Sequence, residues 1–260
     1  MKKSKRVKES NKNIRLGLYF GLVVIFIVLV SFTFKIFDNI KKSTFDSGNF
    51  FTVAIFSEKN TQLISVSPKE NSIKKITING IKSDEALNNL NIPYDNLANS
   101  KEELSLNPKT YFTKMLFRQN DLKSSLTTID LIKLSIYSNK VSSENITEDS
   151  VELDDEDFEK ILSSWFLDPE ILNEDLKIEI VNTTDISGLG NKFADLITKA
   201  GGNVVLVHSS ADELNNSVIY FNNDSYTVKK LSSFLDISSE KKELNSVSDI
   251  VVYIGSDIKE

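Results

Sequence analysis

The sequence holds a single histidine, His208, followed by Ser209, Ser210 and Asp212. Serine, histidine and aspartate are the parts of a nucleophilic triad, in which imidazole takes the hydroxyl proton and the carboxylate orients the ring. A lone histidine at the end of the strand-like run Val204–Val207 is more ordinarily structural, and that reading is favoured. The acidic run Glu152–Glu159 (ELDDEDFE) offers carboxylates to Ca²⁺. It lacks the glycine and the ligand spacing of an EF-hand loop, and suits the solvated first turn of a helix. Gly188-Leu189-Gly190, between a strand and a helix, has the form of a phosphate-binding turn, but Phe193 stands where a dinucleotide fingerprint needs its third glycine. Lys114 and Arg118 on a helical stretch could meet an anion; exposed surface charge is the commoner state of such a pair. There is no cysteine, which excludes disulfides, thiolate catalysis, cysteine metal sites and a lipoprotein anchor. No catalytic residue, metal set or cofactor is assigned.

These residues sit on a chain organised around Leu16–Phe34, nineteen residues without a charge. A helix of that length nearly crosses a hydrocarbon core of about 30 Å. The run is long for a signal peptide and ends without a small-x-small cleavage site, so an uncleaved membrane anchor over 16–37 is expected. Residues 1–15 carry seven basic side chains and one acidic, which predicts a cytoplasmic N-terminus and an external C-terminal part. The formal charge of −6 therefore divides into +6 for this tail and −12 for the remainder, an acidic ectodomain unsuited to nucleic acid.

Beyond a linker at 38–49, Phe50–Phe56, Gln62–Val66 and Ser72–Ile78 read as a three-stranded meander separated by turn residues. Asp84–Leu90 reads as a helix start capped by Ser83, and Asn91–Leu106 as a loop. Asn107–Phe117 and Thr128–Tyr137 have helical spacing. Ser142–Asp149 is polar and reads as a break, Asp154–Trp165 as a helix, and Pro169 as the close of that region. Next come a strand at Lys177–Val181, a helix capped by Ser187 and ended by Gly201-Gly202, strands at Val204–Val207 and Val218–Phe221, a helix at Tyr226–Leu235 and a strand at Ile250–Ile254. The order β-α-β-β-α-β predicts a split-βαβ unit with two helices on one face. The fold expected is α/β (α+β): a single transmembrane helix, a small α/β domain over 50–150, a helix and linker over 151–175, and a C-terminal domain over 176–258.

That last stretch resembles the C-terminal domain of LytR/CpsA/Psr-type cell-envelope proteins. The matching residues are Ile178–Thr184 (IEIVNTT), Ser187-Gly188-Leu189-Gly190, Gly201–Val205 (GGNVV), Ile219-Tyr220-Phe221 and Asp249–Asp257 (DIVVYIGSD). By this resemblance Asn182, Gly188 and Gly190 are candidate ligand-binding positions. Phe50–Val151 looks faintly like the catalytic domain of the same superfamily, shortened or degenerate, or is an unrelated small α/β domain. The catalytic domain would move a polyprenyl-pyrophosphate-linked glycopolymer to peptidoglycan with Mg²⁺ and several arginines. Here the arginine motifs are absent and Arg118 is the one arginine beyond the anchor.

The expectation is a non-catalytic, membrane-anchored bacterial envelope protein. It would sit in the bilayer through 16–37 and bind peptidoglycan or an envelope protein through its C-terminal domain. The alternative is a divergent phosphotransferase.

Overall fold

The computed structural model describes residues 3–57, 60–81, 90–100, 107–118, 122–153, 155 and 158–258, in two units, Met1–Ser43 and Thr44–Glu260. The first unit is one helix, α1 (Lys3–Lys42), of 40 residues and so about 60 Å long. It contains Leu18–Lys42, a stretch long and apolar enough to cross a membrane, with the large apolar side chains of its first half exposed. The helix runs past both expected ends of the span. The basic tail and the first residues of the expected linker are helical, because nothing in 1–42 is proline and glycine occurs only at Gly17 and Gly21.

In the second unit, β1 (Phe51–Phe56), β2 (Asn60–Ser67) and β3 (Ser72–Asn79) form the expected antiparallel meander. Three further strands extend it: β4 (Asn96–Ser100) parallel to β1, β5 (Leu122–Ser124) antiparallel to β4, and β6 (Ile146–Glu152) parallel to β3. The order is β5-β4-β1-β2-β3-β6. Every residue of β1 and β2 is buried, as both faces are covered. One face packs Val53, Ile55, Ile64 and Val66 against Tyr111, Phe112 and Met115 of α2 (Pro108–Phe117) and Leu131 and Leu134 of α3 (Thr128–Lys140). The other packs Ala54, Phe56, Leu63 and Ile76 against Phe158, Leu162 and Trp165 of α4 (Phe158–Trp165).

Three expectations change here. The supposed loop after Asn91 contains β4, and the supposed break at Ser142–Asp149 is a short 3-10 turn followed by β6. Both strands are polar and take their conformation from a partner's backbone, so no alternation of their own marks them. Pro169 opens a helix instead of closing a region: α5 (Pro169–Glu174) starts with proline in its first turn and Asp168 as cap, where a missing N–H costs nothing. Of the expected helix start at 84–90, residues 84–89 and the cap Ser83 lie outside the described residues, and Leu90 is in a turn.

The C-terminal elements are β7 (Lys177–Asn182), α6 (Leu189–Lys199), β8 (Asn203–Ser209), β9 (Val218–Phe221), α7 (Tyr226–Leu235), β10 (Ser238–Lys241) and β11 (Ile250–Ile254). Gly201, at φ +102, ends α6 in the left-handed region, as expected. Ser187 does not cap α6: the cap position is Gly188, with no side-chain bond. The sheet order is β10-β9-β11-β7-β8, with β8 beside β7 and parallel to it. The unit is therefore not a split βαβ, in which another strand would separate that pair. Two unsplit βαβ units, β7-α6-β8 and β9-α7-β10, flank β11, which pairs parallel with β7 and antiparallel with β9. The fifth strand, β10 (SSEK), is wholly exposed and polar, which hides it in the sequence.

Candidate functional site

The helices α6 and α7 cover one face of the C-terminal sheet. Leu189, Phe193 and Ile197 of α6 and Val228 and Leu231 of α7 pack on Ile178, Ile180, Ile219, Ile250 and Val252. The same helices also meet the rest of the unit, along a polar seam. Lys230 of α7 pairs with Asp95 at 2.6 Å and donates to the Phe50 carbonyl at 2.8 Å, while Asp95 also accepts from the Thr52 amide at 2.8 Å. Tyr226 donates its hydroxyl to Asp168 at 2.6 Å. Glu174, ending α5, accepts from the Tyr226 and Thr227 amides at 2.9 and 2.8 Å, and so caps α7 from outside it. On α6, Lys199 donates to the Leu90 carbonyl at 2.8 Å.

Burial raises the Asp168 carboxyl against the opposing pull of Tyr226 and Lys230. Burial acts the same way on Glu174, but there the bonds from Thr227 and Tyr226 outweigh it and the carboxyl sits below its ordinary range. Between Asp95, Lys230 and Tyr226 and the edge residues Thr44, Asp46, Lys229 and Ser233 lies a cavity of about 140 Å³. Ligand pockets run from roughly 300 Å³ upward. The volume, and carboxylates already bonded within the protein, make this place a lock between two parts of the unit.

The other face of the C-terminal sheet carries no helix. Glu179, Val181, Tyr220, Val251 and Tyr253 alternate onto it, opposite the core residues of the same strands. Tyr220 and Tyr253 meet edge to face, their ring centroids 5.6 Å apart, and Lys242 lies 4.3 Å over the Tyr220 ring. His208 Nε2 lies 2.9 Å from Glu179 Oε1, and Ser246 donates to the other carboxylate oxygen. Burial pushes the Glu179 carboxyl up, but the bonds from Ser246 and His208 prevail and hold it low. The Glu179 side chain is 11% exposed and that of His208 44%, so the ring edge stays open to solvent beside Leu206. Two aromatic rings, a held carboxylate, an imidazole and an ammonium thus share one surface. It can stack on an apolar face and exchange hydrogen bonds around it.

His208 therefore has a partner, Glu179, 29 residues away in sequence and distinct from the neighbouring Asp212. Ser246 bonds the carboxylate and not the imidazole, so the three do not form a proton-relaying triad. The signal for Glu179 is its place in IEI, a charge on the strand face opposite two isoleucines; nothing local marks Ser246. Asn182 is buried, accepts from the Thr184 amide and hydroxyl at 3.1 and 2.8 Å, and donates to the Ile186 carbonyl at 2.9 Å. Gly188 has φ +83, and a Cβ on Gly190 would stand 3.1 Å from Val207 Cγ1. The three expected ligand positions come together at the end of β7, where each has a job in the turn. Of the acidic run, Asp155 accepts from the Glu152 amide at 3.1 Å and Glu152 from Asn79 at 2.8 Å; Asp154, Glu156 and Asp157 lie outside the described residues. Arg118 ends α2 as its C-cap. Among the described residues no three His, Asp or Glu side chains converge as metal ligands.

Residues 175–257 match the family model for the LytR cell envelope-related transcriptional attenuator, LytR_C. This part of the chain is similar to the LytR_C domain. No curated protein matches the chain. Among solved structures it is similar to Lmo1026 from Listeria monocytogenes (fragment 52–321), at 10% identity over 41% of this chain and 83% of that one, with a TM-score of 0.28. Lin1025 from Listeria innocua is similar at 12% identity over 41% and 83%, with a TM-score of 0.27. The helix-free face lies within these matched residues, and the seam joins them to the rest of the unit.

Proposed function

We propose that the chain is a bilayer-anchored envelope protein that holds its LytR_C domain outside the membrane to bind cell-wall material. The anchor is the apolar stretch of α1, and the seven basic residues ahead of it keep the N-terminus in the cytoplasm. One observation carries the binding role. The helical side of the LytR_C sheet is turned to the rest of the unit through the Lys230, Tyr226 and Glu174 contacts, and the helix-free side carries the partly exposed Tyr220 and Tyr253. A sugar ring has an apolar face and a polar rim, the complement of an aromatic pair beside Glu179 and His208. The reading is non-catalytic: the acids at the seam are bonded within the protein, and Glu179 is held in place by its neighbours.

The exposed Val205 and Leu206 on the edge strand β8 favour a second reading, a protein partner in the envelope. Sedimentation of the full chain in detergent with isolated cell walls tests the first. Retention is expected for the unaltered chain and loss for Tyr220→Ala with Tyr253→Ala. Retention unaffected by those changes refutes the assignment of this face, and no retention at all refutes cell-wall binding. A reporter active only outside the membrane, fused after Glu260, is expected to be active.

A further inference from the structure

We infer that the α2–β5–α3 layer is a second membrane contact, docking on the anionic phospholipid surface of the bilayer that holds α1; this rests on the anchor reading above. The first observation is charge. The sequence beyond residue 15 is −12, yet Asn107–Val141 has six basic residues and two acidic ones. One of those acids, Asp130, is buried, with its oxygens bonded to the Phe45 and Thr127 amides. Lys114, Lys123 and Lys140 are exposed. A cationic layer on an anionic domain repels nucleic-acid-like partners less than the rest of the surface does, and is drawn to an anionic surface.

The second observation is apolar exposure in the same layer. Phe117, at the end of α2, is 83% exposed, and Ile132 and Ile136, one turn apart on α3, are 38% and 53% exposed. Cations interleaved with large exposed apolar side chains are the composition of a surface that lies in a lipid headgroup region.

The third observation chooses the occupant. Phe45 is gripped by this layer: its amide donates to Asp130 at 2.9 Å, its carbonyl accepts from Lys133 at 3.0 Å, and its ring is buried. Only Ser43 and Thr44 separate Phe45 from Lys42, the last residue of α1. Three peptide steps reach at most about 10 Å. The segment that α3 grips thus follows the anchor directly in sequence, and a soluble partner would have to find the same face by diffusion.

The chain has no cysteine, so single labels can be placed without background. Nitroxide labels on Ile136→Cys and, as an exposed reference in the LytR_C domain, Val247→Cys are compared in the full chain. The chain is reconstituted in nanodiscs of equal parts phosphatidylcholine and phosphatidylglycerol. The Ile136 label is expected to be shielded from a water-soluble relaxation agent by roughly threefold or more relative to Val247, as for an interfacial side chain. Phosphatidylcholine alone, or Lys114→Glu with Lys140→Glu, is expected to restore its exposure. Equal exposure of both labels in a chain that enters the discs overturns the docking face and leaves the anchor standing. Shielding indifferent to lipid charge and to the two lysine changes assigns the face to a protein contact and overturns it also. A chain that does not enter the discs refutes the anchor, and this inference with it.

Discussion

The two sheets of the second unit are built from similar materials and differ in what covers them. The middle sheet is closed by α2 and α3 on one side and α4 on the other, so β1 and β2 read as unbroken apolar or buried runs. The LytR_C sheet carries helices on one side only, and its strands put Glu179 between Ile178 and Ile180, and Tyr220 between Ile219 and Phe221. A sheet sealed twice spends its side chains on packing. A sheet sealed once has a second set of positions, on the same rigid strands, that packing leaves available for recognition. On the proposed reading, recognition belongs to the LytR_C domain and support to the middle domain.

The largest expected effect tests the sealing itself. Phe112→Ala, in the doubly covered layer, and Phe193→Ala, under the covered side of the LytR_C sheet, are each expected to cost about 3–5 kcal/mol in denaturant unfolding. Tyr220→Ala, on the helix-free face, is expected to cost less than either, about 2 kcal/mol, because Tyr220 is partly exposed and gives up less buried area. A Tyr220→Ala cost equal to that of Phe193→Ala breaks the comparison. Next is the seam. Lys230→Ala leaves the half-buried Asp95 beside the Thr52 amide without its cation, an expected loss of about 2 kcal/mol. Trp165, the single tryptophan, lies in the core under the middle sheet and reports that loss by fluorescence. The seam also sharpens the domain boundary: a piece covering 158–258, which keeps Asp168 and Glu174, is expected to melt above one covering 176–258, with both melting cooperatively.

A smaller effect is pH dependence. Glu174 has a lowered folded-state value, so its stabilisation is full above its ordinary value of 4.5 and is lost as pH falls through the folded one. Asp168 is raised and has the opposite sign: its burial penalty is relieved as pH falls through its folded value. Glu174→Gln is therefore expected to flatten the acid limb of stability below pH 4.5, read by thermal melts at successive pH values. The smallest change is a gain. The Tyr111 hydroxyl is fully buried without a hydrogen-bond partner, and Tyr111→Phe is expected to raise stability by about 1 kcal/mol.

Elements with their own apolar period were legible before any coordinates: the β1–β3 meander, α2, α3, α6, α7 and β11. Those that borrow their conformation were not. Asn96–Ser100 has one leucine and one alanine among two asparagines and a serine, and Ser238–Lys241 is polar throughout; each is a strand because a neighbour's backbone lies beside it. The topology followed the same rule, since β-α-β-β-α-β is silent on which strand fills the centre, and the unseen β10 completes the second βαβ unit. At the site, the glycines and Asn182 were legible as turn chemistry because their effects are local. The Glu179–Ser246 bond joins residues 67 apart, and no spacing announces it.

The central place of β11 has a consequence for biogenesis. Of the strands in this sheet it is the last to be synthesised, yet it alone joins β7-α6-β8 to β9-α7-β10. On the proposed topology, with the N-terminus held inside and the rest delivered outward in the order of synthesis, two half-sheets, each with a raw edge, arrive before the strand that fits between them. Until Ile250–Ile254 emerges, β7 and β9 expose unpaired backbone N–H and C=O groups along the edges that β11 will fill, the interval in which the unfinished sheet is most open to wrong pairing. A frameshift or premature stop just ahead of Ile250 would release the same unfinished halves permanently, exposing them to envelope proteases although nearly all of the polypeptide had been made.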